Sequence, residues 1–276
     1  MPLMFAARLS TAVALLIACV TALLLLPNGW WTLLLLPVLL AASWEWGKLG
    51  GLTRAWRQVF TAIVLASALL LWLAAPDTAG TVGDRRHALD AVVYASSCAF
   101  WLLIAPFWIA GRWRVRAPLA LAAAGWVVLV PAWLALARLQ ADPERLLALF
   151  AIVWLADSAA YLAGSAWGRH RLAPAVSPGK TWEGVAGAGV AVTVYYVLLS
   201  SVTPEWSWWN GVNGAALFAG VALMSILGDL FESWIKRQAG MKDSGSLLPG
   251  HGGILDRVDS LTASMPLAAL FLLYYG

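Results

Sequence analysis

The sequence predicts an all-α integral membrane protein with about nine membrane-spanning helices. Of its 276 residues, 62% are hydrophobic and only 12% are charged, which is about half the charged fraction of a typical soluble domain. Nine apolar stretches are long enough, or nearly so, to cross a hydrocarbon core of about 30 Å as helices. They lie near 9–26, 30–47, 58–75, 91–110, 117–137, 146–166, 184–203, 211–234 and 259–275. Because all the connections between them are short, we expect one integral membrane domain over 1–276.

The basic residues support this number of spans and predict an orientation. If the N-terminus lies inside, fourteen of the eighteen Lys and Arg residues fall in inside segments, and only Arg85, Arg86, Arg138 and Arg145 fall outside. Basic residues are enriched in cytoplasmic loops, so we expect a cytoplasmic N-terminus and an outside C-terminus. The net charge of +4 then belongs mainly to a face that meets anionic lipid headgroups. Nucleic acid is not an expected partner, because no basic stripe with interleaved aromatic residues lies outside the spans.

The two parts of the chain differ in their polar content. Residues 1–145 are predicted to be mainly a hydrophobic scaffold, and 146–276 the catalytic part. In the first part, Glu45 lies near a helix end close to Lys48, where we expect it to pair or snorkel at the membrane interface. In the second part, Asp157 interrupts an apolar helix. It is either a functional residue or a helix–helix hydrogen-bonding contact, and this segment alone does not distinguish the two.

A polar segment before the seventh predicted span has features of a phosphate-binding turn. Ser177, Lys180 and Thr181 lie in SPGKTWEG, where a Pro-Gly turn precedes a helix start. Exposed backbone N–H groups and the positive end of a helix favour anions. The Walker A pattern is incomplete, since its first glycine is missing, so a P-loop NTPase is excluded. An ordinary basic loop before a capped helix is the alternative for this segment taken alone.

The segment 225–260 concentrates nine charged residues beside two apolar spans. Asp229 and Glu232 are three residues apart and share a helix face, and Asp256 and Asp259 have the same spacing at the start of the last span. Such oxygen ligands suit Mg²⁺, and two such sites suit two cations around a phosphoryl group. The basic residues Lys236, Arg237, Lys242 and Arg257 suit neutralisation of phosphate charge. Mutual salt bridges within an inside loop are the alternative.

The residues SWIKRQAGMKDSGSLLPGHGGILDRVDS at 233–260 resemble the C-terminal signature of the phosphatidate cytidylyltransferases, also called CDP-diacylglycerol synthases. A serine, then KR, KD, HGG, DR and a final aspartate follow one another in the order of that signature. The segments at 177–184 and 228–233 also resemble parts of the family. The resemblance covers about 150–276, and the rest of the chain is similar only in spanning the membrane repeatedly.

The resemblance implies transfer of CMP from CTP to phosphatidic acid, a membrane lipid, giving CDP-diacylglycerol and pyrophosphate. It also implies Mg²⁺, with K⁺ beside it, a homodimer, and an active site that faces the cytoplasm in a bacterial-type inner membrane. The resulting hypothesis assigns catalysis to Asp229, Asp256, Lys236 and Arg257, metal binding to Asp229, Asp256 and Asp259, and substrate binding to Ser177, Lys180, Thr181, Arg237, Lys242, Asp243, His251, Gly252 and Gly253.

Two other functions agree with only part of the sequence. A CDP-alcohol phosphotransferase requires a DxxDG pattern, whereas Asp259 is followed here by Ser260. A cation-coupled transporter would explain Asp157 and Asp229 within the membrane, but the sequence has no recognisable inverted repeat. We therefore expect a membrane enzyme that acts on phosphates.

Overall fold

The computed structural model describes residues 16–74, 81–203, 209, 211–247 and 252–275, apart from the side chains of 81–86. Within these residues, eight helices are long and apolar enough to cross a membrane, so the predicted all-α membrane fold is confirmed. The elements are α1 (Leu16–Leu25), α2 (Asn28–Leu49), α3 (Arg54–Leu73), α4 (Thr81–Ala99), α5 (Ala105–Ala110), α6 (Pro118–Leu139), α7 (Pro143–Trp167), β1 (Arg171–Ala173), β2 (Ser177–Thr181), α8 (Trp182–Val202), α9 (Gly211–Gln238) and α10 (Leu255–Tyr275). A π-helical turn, Phe100–Ile104, joins α4 to α5 in one span. The first predicted span is described only as the short helix α1.

The helices extend past the predicted apolar stretches into polar sequence. Helix α9 ends at Gln238, so Lys236 belongs to its last turn. It stops because Gly240 adopts a left-handed conformation, with φ of +70°, which glycine reaches without steric cost. The N–H of Met241 then donates to the carbonyl of Lys236 at 2.8 Å, satisfying a carbonyl at the helix end. Charged groups of the 225–260 segment are therefore held on rigid helix ends.

A buried aromatic cluster joins the N-terminal helices to α9. Phe231 is fully buried, and its ring meets those of Phe100, Trp101 and Trp108 edge-on at centroid distances of 5.4 Å. Trp46 of α2 stacks on the same ring at 6.3 Å. Edge-to-face and offset arrangements are the favoured geometries of aromatic pairs. The cluster therefore fixes the end of α2 beside the charged end of α9.

Helix α10 packs directly against α9 through small residues. A Cβ atom at Gly228 would collide with the backbone carbonyl of Asp259, so glycine allows the two helix backbones to approach closely. The hydroxyl groups of Thr262 and Ser264 donate to the carbonyls of Asp259 and Ser260 within α10, at 2.6 and 2.7 Å. Their polar groups are thus satisfied inside the bundle, and the acidic residues of α9 and α10 become neighbours.

The polar segment between α7 and α8 is more regular than expected. The sequence predicts a loop there, whereas β1 and β2 form a short antiparallel hairpin that pairs Arg171 with Thr181 and Ala173 with Ser177. The turn is closed by the N–H of Val176, which donates to the carbonyl of Ala173 at 3.0 Å. This pairing brings Arg171 and the start of α8 to the same place.

Candidate active site

The candidate site is a polar cavity of about 630 Å³ between α7, the β1–β2 hairpin, α8, α9 and α10. Acidic, basic and hydroxyl side chains meet in its lining: Asp157, Arg171, Ser177, Lys180, Thr181, Asp229, Asp256, Asp259 and Ser260. Six of these residues were predicted as site residues from the sequence. The cavity therefore combines the predicted phosphate-binding turn with the predicted carboxylates.

Lys180 connects the hairpin to α9. Its Nζ lies 2.7 Å from Oδ2 of Asp229 and 3.5 Å from the carbonyl oxygen of Ile226. The side chains of Lys180 and Asp229 remain 24% and 32% exposed, so a ligand in the cavity can reach both. Next to Lys180, the hydroxyl of Thr181 accepts the N–H of Gly184 at 3.1 Å and caps α8. A lysine and a helix N-terminus thus provide positive charge on this side of the cavity.

Asp256, which also lines the cavity, is held by four hydrogen bonds. Its Oδ1 lies 2.6 Å from Nζ of Lys236, which also contacts Oε2 of Glu232 at 3.1 Å. Its Oδ2 accepts the N–H and the hydroxyl of Ser244, at 2.9 and 3.0 Å, and the N–H of Gly253 at 2.8 Å. Asp256 therefore joins α9, α10 and the connection between them, 239–254, which we call the signature loop.

Glu45 of α2 also holds the signature loop, and its burial inside the protein corrects the expectation that it snorkels. Glu45 is only 3% exposed. Its Oε2 accepts the Ser244 hydroxyl at 2.8 Å and the Leu255 N–H at 2.9 Å, and its Oε1 accepts the Ile254 N–H at 3.2 Å. The carboxylate satisfies free N–H groups at the start of α10, where negative charge is favoured. The scaffold part of the chain therefore contributes directly to the site's geometry.

The glycines of the signature loop leave room for these two carboxylates. Cβ atoms at Gly245 and Gly253 would collide with the carboxylate of Glu45. Gly252 has φ of +85°, and a Cβ there would lie 2.9 Å from Oδ2 of Asp256. In the structure, Gly252 and Gly253 allow the close approach of Asp256 and Glu45, and their predicted role in substrate binding stays a prediction.

The predicted site residues do not all reach the cavity. Seven predicted site residues that the structure describes are not part of the cavity lining: Lys236, Arg237, Lys242, Asp243, Gly252, Gly253 and Arg257. Lys236 supports Asp256 from behind, and Arg237 donates to the carbonyl of Val176 at 3.3 Å. Lys242, Asp243 and Arg257 are exposed, and His251 lies outside the described residues. The substrate-binding roles of Lys242 and Asp243 and the catalytic role of Arg257 stay predictions.

Two charged cavity residues were not among the predicted site residues. Asp157 lines the cavity, and its Oδ2 accepts the Ser260 hydroxyl at 3.3 Å. The signal for Asp157 was present, since an ionisable residue within an apolar helix is a functional candidate. Arg171 reaches the cavity because it pairs with Thr181 in the hairpin. The sequence gives no sign of this placement, because it depends on the register of the two strands.

The site carries more negative than positive charge. Five carboxylates and three basic side chains line or adjoin the cavity: Asp157, Asp229, Glu232, Asp256, Asp259, Arg171, Lys180 and Lys236. Glu232 lies against Asp259, and its Oε1 is buried without a hydrogen-bond donor among the described residues. Excess buried carboxylate charge requires a cation or a proton, so this donor set fits a hard cation.

The arrangement does not form a closed metal cage. In the part of the chain that the structure describes, no three His, Cys, Asp or Glu side chains are grouped closely enough to hold a metal ion by themselves. Mg²⁺ commonly binds through one or two carboxylates and the phosphates of its substrate. The site therefore fits a Mg²⁺ ion that is bound together with a phosphate compound.

The fold and the site define a polytopic membrane protein with a polar cavity, at the ends of several helices, whose side chains suit a phosphate compound and a cation. A family model described as "Cytidylyltransferase family" matches residues 6–275. The phosphatidate cytidylyltransferase of Pseudomonas aeruginosa is 38% identical over 274 residues, covering 96% of both chains. That of Haemophilus influenzae is 32% identical over 96% of this chain and 97% of its own. That of Brucella melitensis is 38% identical over 87% of this chain and 83% of its own. The chain belongs to the family of the phosphatidate cytidylyltransferases, as its signature residues predict.

Proposed function

We propose that the protein transfers CMP from CTP to phosphatidic acid, giving CDP-diacylglycerol and pyrophosphate. The observation that carries this proposal is the cavity itself, where Arg171, Lys180 and the N-terminus of α8 face Asp229, Asp256 and Asp259. Positive groups suit the phosphates of both substrates, and the carboxylates suit the cation that accompanies a nucleotide. Membership of the family supplies the identity of the two substrates.

The reaction requires no nucleophile from the protein. An oxygen of the phosphatidate phosphate attacks the α-phosphorus of CTP, and the bond to the oxygen that bridges to the β-phosphorus breaks as pyrophosphate leaves. A lipid phosphate is already anionic near neutral pH, so catalysis depends on positioning and on neutralising the negative charges that must approach each other. Lys180 and Arg171 bind phosphate oxygens, and Lys236 keeps Asp256 oriented. Arg257 remains part of the hypothesis as a residue that meets the phosphates from outside the described cavity.

The metal assignments follow from the same residues. Asp229, Asp256 and Asp259 are the candidate ligands, and one or two of them would hold Mg²⁺ together with the phosphates of the substrate. When bound, Mg²⁺ lowers the negative charge of the nucleotide phosphates and of the departing pyrophosphate. The chain's own contribution is to orient the carboxylates through Lys180, Lys236 and the signature loop. K⁺ as a second cation and a homodimeric assembly are further parts of the proposal, which rest on the family resemblance.

We place the cavity on the cytoplasmic side of a bacterial-type inner membrane, with the N-terminus inside and the C-terminus outside. The distribution of Lys and Arg supports this orientation. It lets CTP enter from the cytoplasm while phosphatidic acid enters sideways from the inner leaflet. Labelling of single cysteines, introduced on each side in intact cells, tests the orientation, and labelling of position 242 from outside would contradict it.

A transfer assay with purified protein tests the reaction. CTP radiolabelled at the α-phosphorus, phosphatidic acid and Mg²⁺ should give label in the lipid fraction, whereas CTP labelled at the γ-phosphorus should give none. Omitting Mg²⁺ or phosphatidic acid should abolish the transfer. Label from the γ position in the lipid would indicate phosphoryl transfer instead, and no transfer by folded protein with Mg²⁺ and K⁺ would refute the proposed reaction.

A further inference from the structure

A narrow apolar groove lies between α8 and α9, beside the polar cavity. Its volume is about 280 Å³, and Val185, Gly189, Val192, Phe218 and Ala222 are among its lining residues. Gly189 is exposed, so the groove opens to the surrounding hydrocarbon. A Cβ atom at Gly189 would meet no heavy atom within 4 Å. The missing side chain therefore leaves usable space in the groove.

The groove is continuous with the proposed active site. Val185 and Ile226 line both the apolar groove and the polar cavity. The carbonyl of Ile226 lies 3.5 Å from Nζ of Lys180. A molecule that extends from one space into the other would place its polar end at Lys180 and its apolar part between the helices.

The length of the groove matches one leaflet of a bilayer. From Val185 to Tyr196, α8 rises about 16 Å, and half of the hydrocarbon thickness is about 15 Å. The groove ends at the rings of Tyr196 and Phe218, whose centroids are 5.2 Å apart. The Tyr196 hydroxyl donates to the carbonyl of Gly211 at 2.7 Å, which fixes this end wall.

The continuity of the groove with the polar cavity distinguishes its possible occupants. Because Val185 and Ile226 line both spaces, an extended alkyl chain in the groove can belong to the same molecule as a phosphate at Lys180. A helix from a second copy would fill the groove without placing a phosphate there. We propose that this groove binds one acyl chain of the phosphatidate substrate and holds its phosphate at Lys180. This inference rests on the proposed function, and it makes Tyr196 and Phe218 the residues that limit chain length.

Photolabelling tests the groove without requiring turnover. A phosphatidate probe with a diazirine midway along one acyl chain is bound to the purified protein, irradiated, and located by peptide mass spectrometry. We expect labelling at Val192, Phe218 and Ala222. Excess unlabelled phosphatidate should suppress it, and phosphatidylcholine with the same chains should not. Labelling spread around α8, or equal competition by phosphatidylcholine, would overturn the proposal.

Two substitutions on α8 provide a matched pair. Gly189→Leu fills the groove, while Val194→Phe adds bulk at an exposed position about 140° further around the helix. Leucine has a higher helix propensity than glycine, so Gly189→Leu should fold. It should reduce specific labelling at least about tenfold and raise KM for dioleoyl phosphatidate by a similar factor, as expected when a few buried methylene groups are expelled. CTP should keep its KM value, and Val194→Phe should change neither the labelling nor the KM for dioleoyl phosphatidate.

The outcomes separate this inference from the proposed function. Specific labelling without CMP transfer by the wild-type protein would refute the proposed reaction and retain a phosphatidate-binding groove. CMP transfer with unchanged labelling and KM in Gly189→Leu would refute the groove alone. A change in oligomeric state in Gly189→Leu, with labelling unaffected, would identify a second copy as the occupant and overturn the acyl-chain assignment.

Discussion

Replacing Glu45 with glutamine tests whether a carboxylate from the N-terminal helices sets the geometry of the site. The substitution keeps the size of the side chain but replaces one acceptor oxygen with an NH₂ donor. In the wild type, Oε1 accepts the N–H of Ile254 and Oε2 accepts the N–H of Leu255. Whichever oxygen is replaced, the new NH₂ group faces a backbone N–H that has lost its acceptor.

The size of the effect follows from these contacts. A buried donor left without its acceptor costs about 1–3 kcal/mol, and each 1.4 kcal/mol changes an equilibrium about tenfold. Because Ser244 contacts both Glu45 and Asp256, loss of loop docking also displaces the supports of Asp256. A misplacement of about 1 Å in an active site lowers rates by up to about a hundredfold. We therefore expect kcat to fall about ten- to a hundredfold in Glu45→Gln.

The assay is the transfer of α-labelled CMP to lipid, measured together with thermal unfolding in detergent. Gln140→Leu is the matched control, since Gln140 is also buried and makes three hydrogen bonds, at the other end of α2. It should lower the unfolding temperature but keep kcat per folded molecule. Wild-type kcat in Glu45→Gln, or an equal loss of kcat in Gln140→Leu, would refute the positioning role of Glu45.

Three further predictions use the same assays. Asp256→Asn should lower activity more than about a hundredfold with little unfolding. The new amide replaces an oxygen that accepts from Lys236 or from the N–H groups of the signature loop. An active variant would contradict the catalytic role of Asp256. Asp229→Asn should raise the Mg²⁺ concentration that gives half-maximal activity, measured by titration at saturating CTP, and an unchanged midpoint would exclude Asp229 as a metal ligand. Gly228→Ala should destabilise the protein by about 1–3 kcal/mol through overpacking against α10, read as a lower unfolding temperature, whereas Gly29→Ala, where no atom lies within 4 Å of the added Cβ, should not.

The membrane helices could be predicted because their main constraint is one-dimensional. A backbone in hydrocarbon must satisfy its own hydrogen bonds, so each spanning segment is a helix of about 20 apolar residues. Spans such as 117–137 and 146–166 therefore correspond closely to α6 and α7. The ends were less predictable, because the predicted span 211–234 stops just before Lys236 and Arg237, whereas α9 continues to Gln238.

The residue types of the site could also be read from the sequence. Asp229, Asp256 and Asp259 stood out because charged groups beside apolar spans are costly and rarely accidental. The order of residues in 233–260 indicated the family, and the homologues confirm it. The identity of Asp229, Asp256 and Asp259 as metal ligands remains a prediction, because the spacing of carboxylates along the sequence does not determine which oxygens face the cavity.

Only the tertiary structure decided which residues meet. Glu45 and Ser244 are 199 positions apart, and nothing in the local pattern around Glu45 specifies that partner. The pairing of Arg171 with Thr181 depends on strand register, and the groove beside Gly189 depends on the packing of α8 against α9. Hydropathy and local spacing determine which segments cross the membrane and which residue types lie at their ends. The partners of a buried polar group are instead selected by the packing of all the helices together, because only that packing determines which donors and acceptors are enclosed side by side without water.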